Sequence, residues 1–159
     1  MAQPKKAKGV GDRAPRFRLK DQAGQAVQAR DLDGRPYVLF FYPKASTSGC
    51  TKETCAFRDL SREFQDLGVG VFGVSPDGPD RQSKFHEKYE VPFPLLCDED
   101  HKLAEAYGVW QEKKLYGKTT MGIVRSTFLV DAKGKIVHGW RKVKVAGHAD
   151  DVLEAASAL

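Results

Sequence analysis

The stretch YVLFFYPKASTSGCTKETCAFRDL, residues 37–60, contains a strand, a loop and the start of a helix in succession. Its first part, YVLFFY, is a near-continuous apolar and aromatic run, which is typical of a strand covered on both faces. After the loop PKASTSG, apolar side chains at helical spacing predict one helix from Cys50 to Leu67 that ends before Gly68; they are Phe57, Leu60, Phe64 and Leu67. A buried strand that leads into a helix indicates a layered α/β fold.

The flanking sequence extends this alternation of strands and helices. Residues 11–36 predict an N-terminal hairpin with its turn at Gly24, and residues 69–75 and 93–98 predict two further strands separated by a helix. A short helix is expected at 101–109, two strands at 125–140 joined around Lys133 and Gly134, and a closing helix over about the last eleven residues. This order predicts an α/β fold with a central mixed sheet flanked by helices, either thioredoxin-like or flavodoxin-like.

Length and charge limit the classes of protein that fit. A chain of 159 residues is long enough to bury roughly 70% of its unfolded surface, so a single domain at 9–159 needs no disulfide or zinc to fold. Three of the positive charges behind the net charge of +5 lie at Lys5, Lys6 and Lys8, in a basic tail (1–8) expected to be disordered. The remaining cations are typical of a solvated surface, and no nucleic-acid partner is expected.

The chain shows no signal for a membrane or for secretion. No apolar run reaches the roughly 20 residues that a membrane helix needs, and the N-terminus lacks the apolar core of a signal peptide. Three cysteines in such a chain favour a reducing, cytoplasmic compartment, where a disulfide is transient rather than structural.

Two of the three cysteines, Cys50 and Cys55, lie five positions apart and pose a choice between a metal site, a structural staple and a redox centre. Structural zinc requires four Cys or His ligands, usually in two pairs, and no second pair follows. No P-loop is present. We therefore expect neither a metal nor a cofactor.

The position of Cys50 favours a reactive thiol. It follows Gly49 at the turn from strand to helix, where unpaired backbone N–H groups and the helix dipole favour an anion such as a thiolate. Ligands also meet an α/β sheet at this edge, and the thiolate is the nucleophilic form of cysteine. The alternative is an inert buried cysteine. The polar residues Thr47 and Ser48 make a reactive, accessible site the better interpretation.

The sequence around Cys50 resembles that of a known family. The segment FYPKASTSGCTKETCAFRD, followed far downstream by GKTTMGIVRSTFLVD, resembles the peroxiredoxins, and most of all the bacterioferritin comigratory protein or Q-type branch. The family motif of Pro, three residues, Thr, two residues and Cys matches Pro43, Thr47 and Cys50 in register. The family arginine at the start of a strand corresponds to Arg125. The resemblance implies a thioredoxin-like fold with an N-terminal β-hairpin extension, and thiol-dependent reduction of hydroperoxides.

The resemblance also implies a role for each site residue. Cys50 attacks the hydroperoxide and becomes a sulfenic acid, and Cys55 resolves it as an intramolecular disulfide that thioredoxin or a glutaredoxin-like protein reduces. Thr47 and Arg125 bind the peroxide, while Pro43 shapes the loop and shields the thiolate. Since a lower basicity also makes sulfur a weaker nucleophile, thiolate formation alone gives little rate, and the site must stabilise the transition state. An intrachain resolving cysteine also favours a monomer.

Three points stay open at the level of sequence. The family usually has proline where this chain has Ser48, whose hydroxyl could cap the helix instead. Cys97 is expected to be a small buried residue, with a second resolving thiol as the alternative. A thioredoxin-like disulfide oxidoreductase without peroxidase activity is the rival function, although its usual C-x-x-C motif is missing.

The spacing of the two cysteines predicts a conformational change. Five residues of α-helix separate two Cα atoms by roughly 8–9 Å, whereas a disulfide requires about 4.4–6.8 Å. The helix is therefore expected to be intact from about residue 50 in the reduced protein and to unwind around 50–56 on oxidation. The intervening residues, Thr51 to Thr54, are polar or β-branched and are expected to contribute little apolar burial, so that unwinding costs little.

Overall fold

A seven-stranded mixed sheet forms the centre of the molecule in a computed structural model, which describes residues 7–159. The strands are β1 (Arg18–Lys20), β2 (Ala26–Gln28), β3 (Tyr37–Phe41), β4 (Gly70–Ser75), β5 (Leu95–Cys97), β6 (Trp110–Leu115), β7 (Lys118–Ile123), β8 (Ser126–Val130) and β9 (Ile136–Arg141). The helices are α1 (Ser48–Asp59), α2 (Ser61–Asp66), α3 (Pro79–Lys88), α4 (Lys102–Ala106) and α5 (His148–Ser157), with a 3-10 helix at Ala29–Leu32.

The order of strands in the sheet is β2-β1-β5-β4-β3-β8-β9. Strands β3, β4 and β5 run parallel, while β8 pairs antiparallel with β3 and β9 antiparallel with β8. The N-terminal hairpin of β1 and β2 adds to the β5 edge, with its turn at Gly24, as predicted. The thioredoxin-like fold class is confirmed.

Strand β3 is the middle of the core because its side chains are buried on both faces of the sheet. Val38 and Phe40 pack into the layer that also holds Phe57 of α1, together with side chains of α2, α3 and α5. Leu39 and Phe41 pack into the opposite layer with side chains of α4 and β8. This two-sided burial explains the continuous apolar run of β3. It also fixes the C-terminal end of β3, where the next loop and helix begin.

Two parts of the fold differ from the sequence-based prediction. The single helix expected from Cys50 to Leu67 is two helices, because the backbone leaves helical geometry at Leu60 between α1 and α2. Apolar spacing concealed this break, since Phe57 and Phe64 point into the same core on either side of it. The second difference is the separate hairpin of β6 and β7, which was not predicted because its side chains are mostly exposed and polar.

The prediction of a disordered basic tail falls largely on residues 1–6, which lie outside the described residues. Within the described part, the backbone N–H of Lys8 donates to the carbonyl of Ala106, and the carbonyl of Lys8 accepts from Arg141. Lys8, which falls in the expected tail, is therefore bonded to the fold one residue before the domain boundary expected at residue 9.

Candidate active site

The pairing of β3 with β8 brings together two segments that are far apart in sequence. Phe41 at the end of β3 is opposite Ser126 at the start of β8. Arg125, one residue before β8, therefore lies beside the loop and helix that follow β3. Cys50 is in the first turn of that helix, α1, as predicted, and the two residues meet across a separation of 75 positions.

The guanidinium of Arg125 bridges two side chains of α1. Its Nη2 donates to Cys50 Sγ at 3.2 Å, and its Nη1 donates to Glu53 Oε1 at 2.8 Å. Cys50 and Glu53 are three positions apart, so they share one face of the helix. Both are 1% exposed. The fork geometry of arginine suits this double contact, because its two nitrogens reach the two acceptors in a fixed plane, whereas a lysine ammonium donates from a single atom.

Burial dominates the electrostatics of Glu53. Removal from water raises the pKa of Glu53 to about 7, although Arg125 acts in the opposite direction. Among residues 7–159, Glu53 Oε2 has no hydrogen-bond partner. Burial also acts against the charge of Arg125, but Glu53 and Cys50 outweigh it and raise the pKa of Arg125. A second cation, Lys113 of β6, is half-buried, and burial together with Arg125 lowers its pKa while Cys50 raises it.

The loop between β3 and α1 carries the remaining predicted site residues. Thr47 is the N-cap residue of α1, and its carbonyl accepts from the N–H of Thr51 at 2.8 Å. The Thr47 hydroxyl is exposed and donates to the carbonyl of Lys44 at 2.7 Å, which leaves its oxygen lone pairs free to accept a proton donor. Pro43 is half-buried at the start of the loop, just after β3.

A buried polar network fixes this loop to the neighbouring strand. The N–H of Ala45 donates to Asp77 Oδ2 at 2.7 Å, and Asp77 also accepts from the Ser75 hydroxyl at the end of β4. Ser75 in turn accepts from Gln82 of α3, whose amide oxygen accepts from the hydroxyl of Tyr42. The network therefore links the ends of β3 and β4 through the loop that leads to Thr47.

Gly49 leaves room for the approach of Arg125 to α1. A Cβ atom at this position would lie 3.0 Å from Arg125 Nη2, which is closer than most real contacts allow. The residue before it, Ser48, is the first residue of α1 rather than its cap. Within residues 7–159, no side chain caps this helix end, so the hydroxyl of Ser48 does not serve as the cap that the sequence allowed.

All three cysteines are free thiols in the described structure. Cys55 is half-buried. In the reduced protein Cys50 and Cys55 both lie within α1, as predicted. Cys97 is buried at the end of β5, which confirms its expected position, and burial raises the pKa of its thiol to about 12. A thiol this weakly acidic is a poor nucleophile near neutral pH, which argues against a second resolving role.

One expectation about α1 is contradicted. The residues between the two cysteines were expected to contribute little apolar burial and therefore to unwind at little cost, yet the polar side chains of Glu53 and Thr54 are buried, and Glu53 is bonded to Arg125. Unwinding must therefore break more than backbone bonds. Sequence reasoning missed Glu53 as a site residue, although its spacing of three from Cys50 was a signal that both lie on one helix face.

Other kinds of site lack support in the described part of the chain. Among residues 7–159, no group of three or more His, Cys, Asp and Glu side chains is placed to hold a metal ion. Over the same residues, no helix is both long enough and apolar enough to cross a membrane.

Known proteins resemble this chain in both sequence and fold. The model of the AhpC/TSA family matches residues 10–139. The Bacillus subtilis protein named peroxiredoxin Bcp is 48% identical over 145 residues, which cover 91% of this chain and 92% of that protein.

Solved structures agree with the sequence relatives. The bacterioferritin comigratory protein of Xanthomonas campestris superposes with a TM-score of 0.86 at 44% identity, covering 89% of this chain and 90% of that one. A cysteine-to-serine variant of PrxQ from Xylella fastidiosa gives a TM-score of 0.91 at 34% identity, covering 96% and 98%. These matches favour a peroxidase over a thioredoxin-like disulfide oxidoreductase. This chain belongs to the AhpC/TSA family, and within it to the Bcp or peroxiredoxin Q group of thiol-dependent peroxidases.

Proposed function

We propose that Cys50 is the peroxidatic nucleophile of this peroxidase and that Arg125 is its main electrostatic partner. The observation that carries the proposal is the 3.2 Å contact from Arg125 Nη2 to Cys50 Sγ, in a buried site at the N-terminal turn of α1. A charge-assisted donor at this distance stabilises the thiolate, and it stays in place as the negative charge moves from sulfur to the leaving oxygen.

The first step consumes one hydroperoxide. The Cys50 thiolate attacks one peroxide oxygen, the O–O bond breaks, and the other oxygen leaves as an alcohol or water after taking a proton. Cys50 becomes a sulfenic acid. The hydroxyl of Thr47 already donates to Lys44, so its role is to accept the hydrogen of the peroxide O–H. Pro43 offers no N–H donor, so it shapes the loop and shields the thiolate.

The second step forms the disulfide. The thiol of Cys55 attacks the Cys50 sulfenic acid, and water leaves. Because both cysteines lie on the intact helix α1, roughly 8–9 Å apart, the first turns of α1 must open before the sulfurs can meet. Thioredoxin or a glutaredoxin-like protein then reduces the disulfide. A resolving cysteine in the same chain makes a partner subunit unnecessary, and we propose that the protein works as a monomer.

We propose hydrogen peroxide and organic hydroperoxides as substrates. Support comes from the Xanthomonas campestris bacterioferritin comigratory protein, whose structures are described as trapped intermediate and ligand complexes bearing on alkyl peroxide reduction. We place the cycle in the cytoplasm, because its disulfide must be reduced again and thioredoxin systems keep cytosolic thiols reduced.

The test couples peroxide consumption to thioredoxin, thioredoxin reductase and NADPH. Wild type should oxidise NADPH when peroxide is added, and Cys50→Ser should not. Cys55→Ser should react with one equivalent of peroxide, accumulate sulfenic acid, detected with a dimedone probe, and then over-oxidise to sulfinic acid. Normal turnover of Cys55→Ser with thioredoxin would contradict its resolving role, and turnover of Cys50→Ser would contradict the whole assignment. Cys97→Ser is the matched control and should turn over like wild type.

A further inference from the structure

Glu53 is a buried carboxyl group with only half of its hydrogen-bonding capacity used. Oε1 accepts from Arg125 Nη1 at 2.8 Å, whereas Oε2 has no partner among residues 7–159. The residue is 1% exposed. An ionised carboxylate in such a place loses its hydration without full compensation, and this loss favours the protonated form.

A count of charges supports the same conclusion. The guanidinium of Arg125 carries one positive charge and contacts both Cys50 and Glu53. If Cys50 and Glu53 were both ionised, these three side chains together would carry one uncompensated negative charge. Two other titratable groups lie near Arg125. Lys113 of β6 is a half-buried cation, but in the described residues it makes no hydrogen bond or ion pair with Glu53 or Cys50, so it is left out of this count. His148 lies at the start of α5, and burial lowers its pKa to about 4, so it is neutral. A thiolate at Cys50 beside a protonated Glu53 leaves the contact neutral.

The opening of α1 must release Glu53 as well as Cys50. Both contacts of Arg125 are to the first two turns of α1, and Glu53 lies between Cys50 and Cys55. The second half of the helix is held separately, because Phe57 stacks on Phe40 at a centroid distance of 4.6 Å. Unwinding of residues 50–56 therefore moves Glu53 out of its buried site into water, where a carboxyl group ionises at neutral pH.

We propose that Glu53 couples formation of the Cys50–Cys55 disulfide to the release of a proton. The inference rests on the proposed resolving role of Cys55. In the closed, reduced protein Glu53 holds a proton and binds Arg125 through Oε1. In the open, oxidised protein Glu53 is a hydrated carboxylate, and the contact with Arg125 is lost. Glu53 acts through Arg125 and the helix, so it is a positioning residue and not a catalytic one.

The two reactions balance separately. The Cys50 sulfenic acid and the Cys55 thiol give the disulfide and water, while the Glu53 carboxylic acid gives a carboxylate and a proton to solvent. Since the reduced form binds the extra proton, a higher pH favours the disulfide. The ratio of disulfide to dithiol should gain an extra factor of ten per pH unit, from the ordinary carboxyl range near 4.5 up to about 7. For a two-electron couple, a factor of ten equals about 30 mV.

The experiment measures the reduction potential of the Cys50–Cys55 couple against dithiothreitol redox buffers between pH 5 and pH 7. Glu53→Gln keeps an oxygen for Arg125 but cannot titrate. The potential of wild type should fall more steeply with pH than that of Glu53→Gln, by about 30 mV per pH unit. Glu63→Gln makes the same chemical change at an exposed position of α2 and should follow wild type. Parallel lines for wild type and Glu53→Gln would overturn the proposal.

Two further measurements keep the test decisive. If Glu53→Gln does not fold, carboxyl ¹³C NMR of wild type replaces it: one glutamate should titrate near neutral pH in the reduced protein and in the ordinary range in the oxidised one. If all glutamates titrate alike in both forms, the coupling does not exist. Peptide mass mapping of the oxidised protein distinguishes a failure of the proposed function from a failure of the proton coupling. Absence of a Cys50–Cys55 disulfide contradicts the proposed function, whereas its presence with parallel potentials contradicts the proton coupling alone.

Discussion

Arg125→Lys is the sharpest test of how the site accelerates peroxide reduction. The substitution keeps one positive charge beside Cys50 but removes the fork that serves two acceptors, at 3.2 Å to sulfur and 2.8 Å to Glu53. An ammonium group is a point charge and cannot hold both partners in the same geometry. We therefore expect folding and thiolate formation to persist while the chemical step slows.

The size of the effect follows from the lost contact. One hydrogen bond to a charged group contributes about 1.5–3 kcal/mol. At 1.36 kcal/mol for each factor of ten, the rate constant for peroxide reduction should fall about 10- to 150-fold when it is expressed per thiolate. This correction matters, because a change in the fraction of Cys50 present as thiolate would otherwise be mistaken for a change in transition-state binding.

The assay is single-turnover stopped-flow fluorescence with hydrogen peroxide, alongside ultraviolet absorbance that reports the thiolate fraction. Arg16→Lys is a matched control, since Arg16 also makes a two-nitrogen contact, to Asp33, at an exposed position. The control should react like wild type. If the rate per thiolate in Arg125→Lys stays within about threefold of wild type, the claim that the fork stabilises the transition state is refuted. Such a change in rate corresponds to less than half of the activation free energy that a tenfold change represents.

Three further predictions concern the neighbourhood of α1. Gly49→Ala should slow peroxide reduction roughly 10- to 100-fold with an unchanged circular dichroism spectrum, because its Cβ would lie 3.0 Å from Arg125 Nη2; unaltered kinetics would show that the guanidinium can move without cost. Ser48→Pro should raise Tm by about 1–4 °C, since position 48 is the first helical residue and Thr47 already has an extended backbone suited to a following proline; a lower Tm would contradict this. Burial lowers the pKa of His148 from 6.5 to about 4, so its contribution to the free energy of unfolding is intact above pH 6.5 and is lost as pH falls towards 4. Between pH 7 and pH 5, the free energy of unfolding measured in urea should fall by about 2 kcal/mol more for wild type than for His148→Gln. Equal losses would mean that His148 is not buried as a neutral ring.

Much of the fold was predictable because burial on both faces leaves a simple sequence pattern. The apolar run of β3 and the paired strands around Gly134 were recognisable for this reason. The hairpin of β6 and β7 was not, because its strands lie outside the main sheet and show no apolar alternation. The turn between them has Tyr116 and Gly117 at positive φ, and Tyr116 is 96% exposed. A tyrosine in that conformation is not among the common hairpin signals, which are Asn-Gly and Asp-Gly.

The site was predictable only in part. Helix-end physics alone pointed to Cys50, whereas Arg125 was recognisable only through its resemblance to a family motif. Nothing local in the sequence shows that residues 50 and 125 meet, because their contact depends on the register of β3 with β8. Glu53 was missed because a glutamate within a polar run is usually solvated. Its burial depends on the contact with Arg125, which packs against α1.

The long sequence separation between Cys50 and Arg125 has a consequence for newly made chains. The ribosome adds about 5–20 residues per second, so the 75 residues that separate the two positions take roughly 4–15 s to synthesise. During that interval Cys50 and Cys55 are already present, but β8 has not yet paired with β3 and no guanidinium is in place. Under the proposed mechanism, a nascent chain therefore meets peroxide without the guanidinium beside Cys50, and it becomes a peroxidase only when β8 has paired with β3.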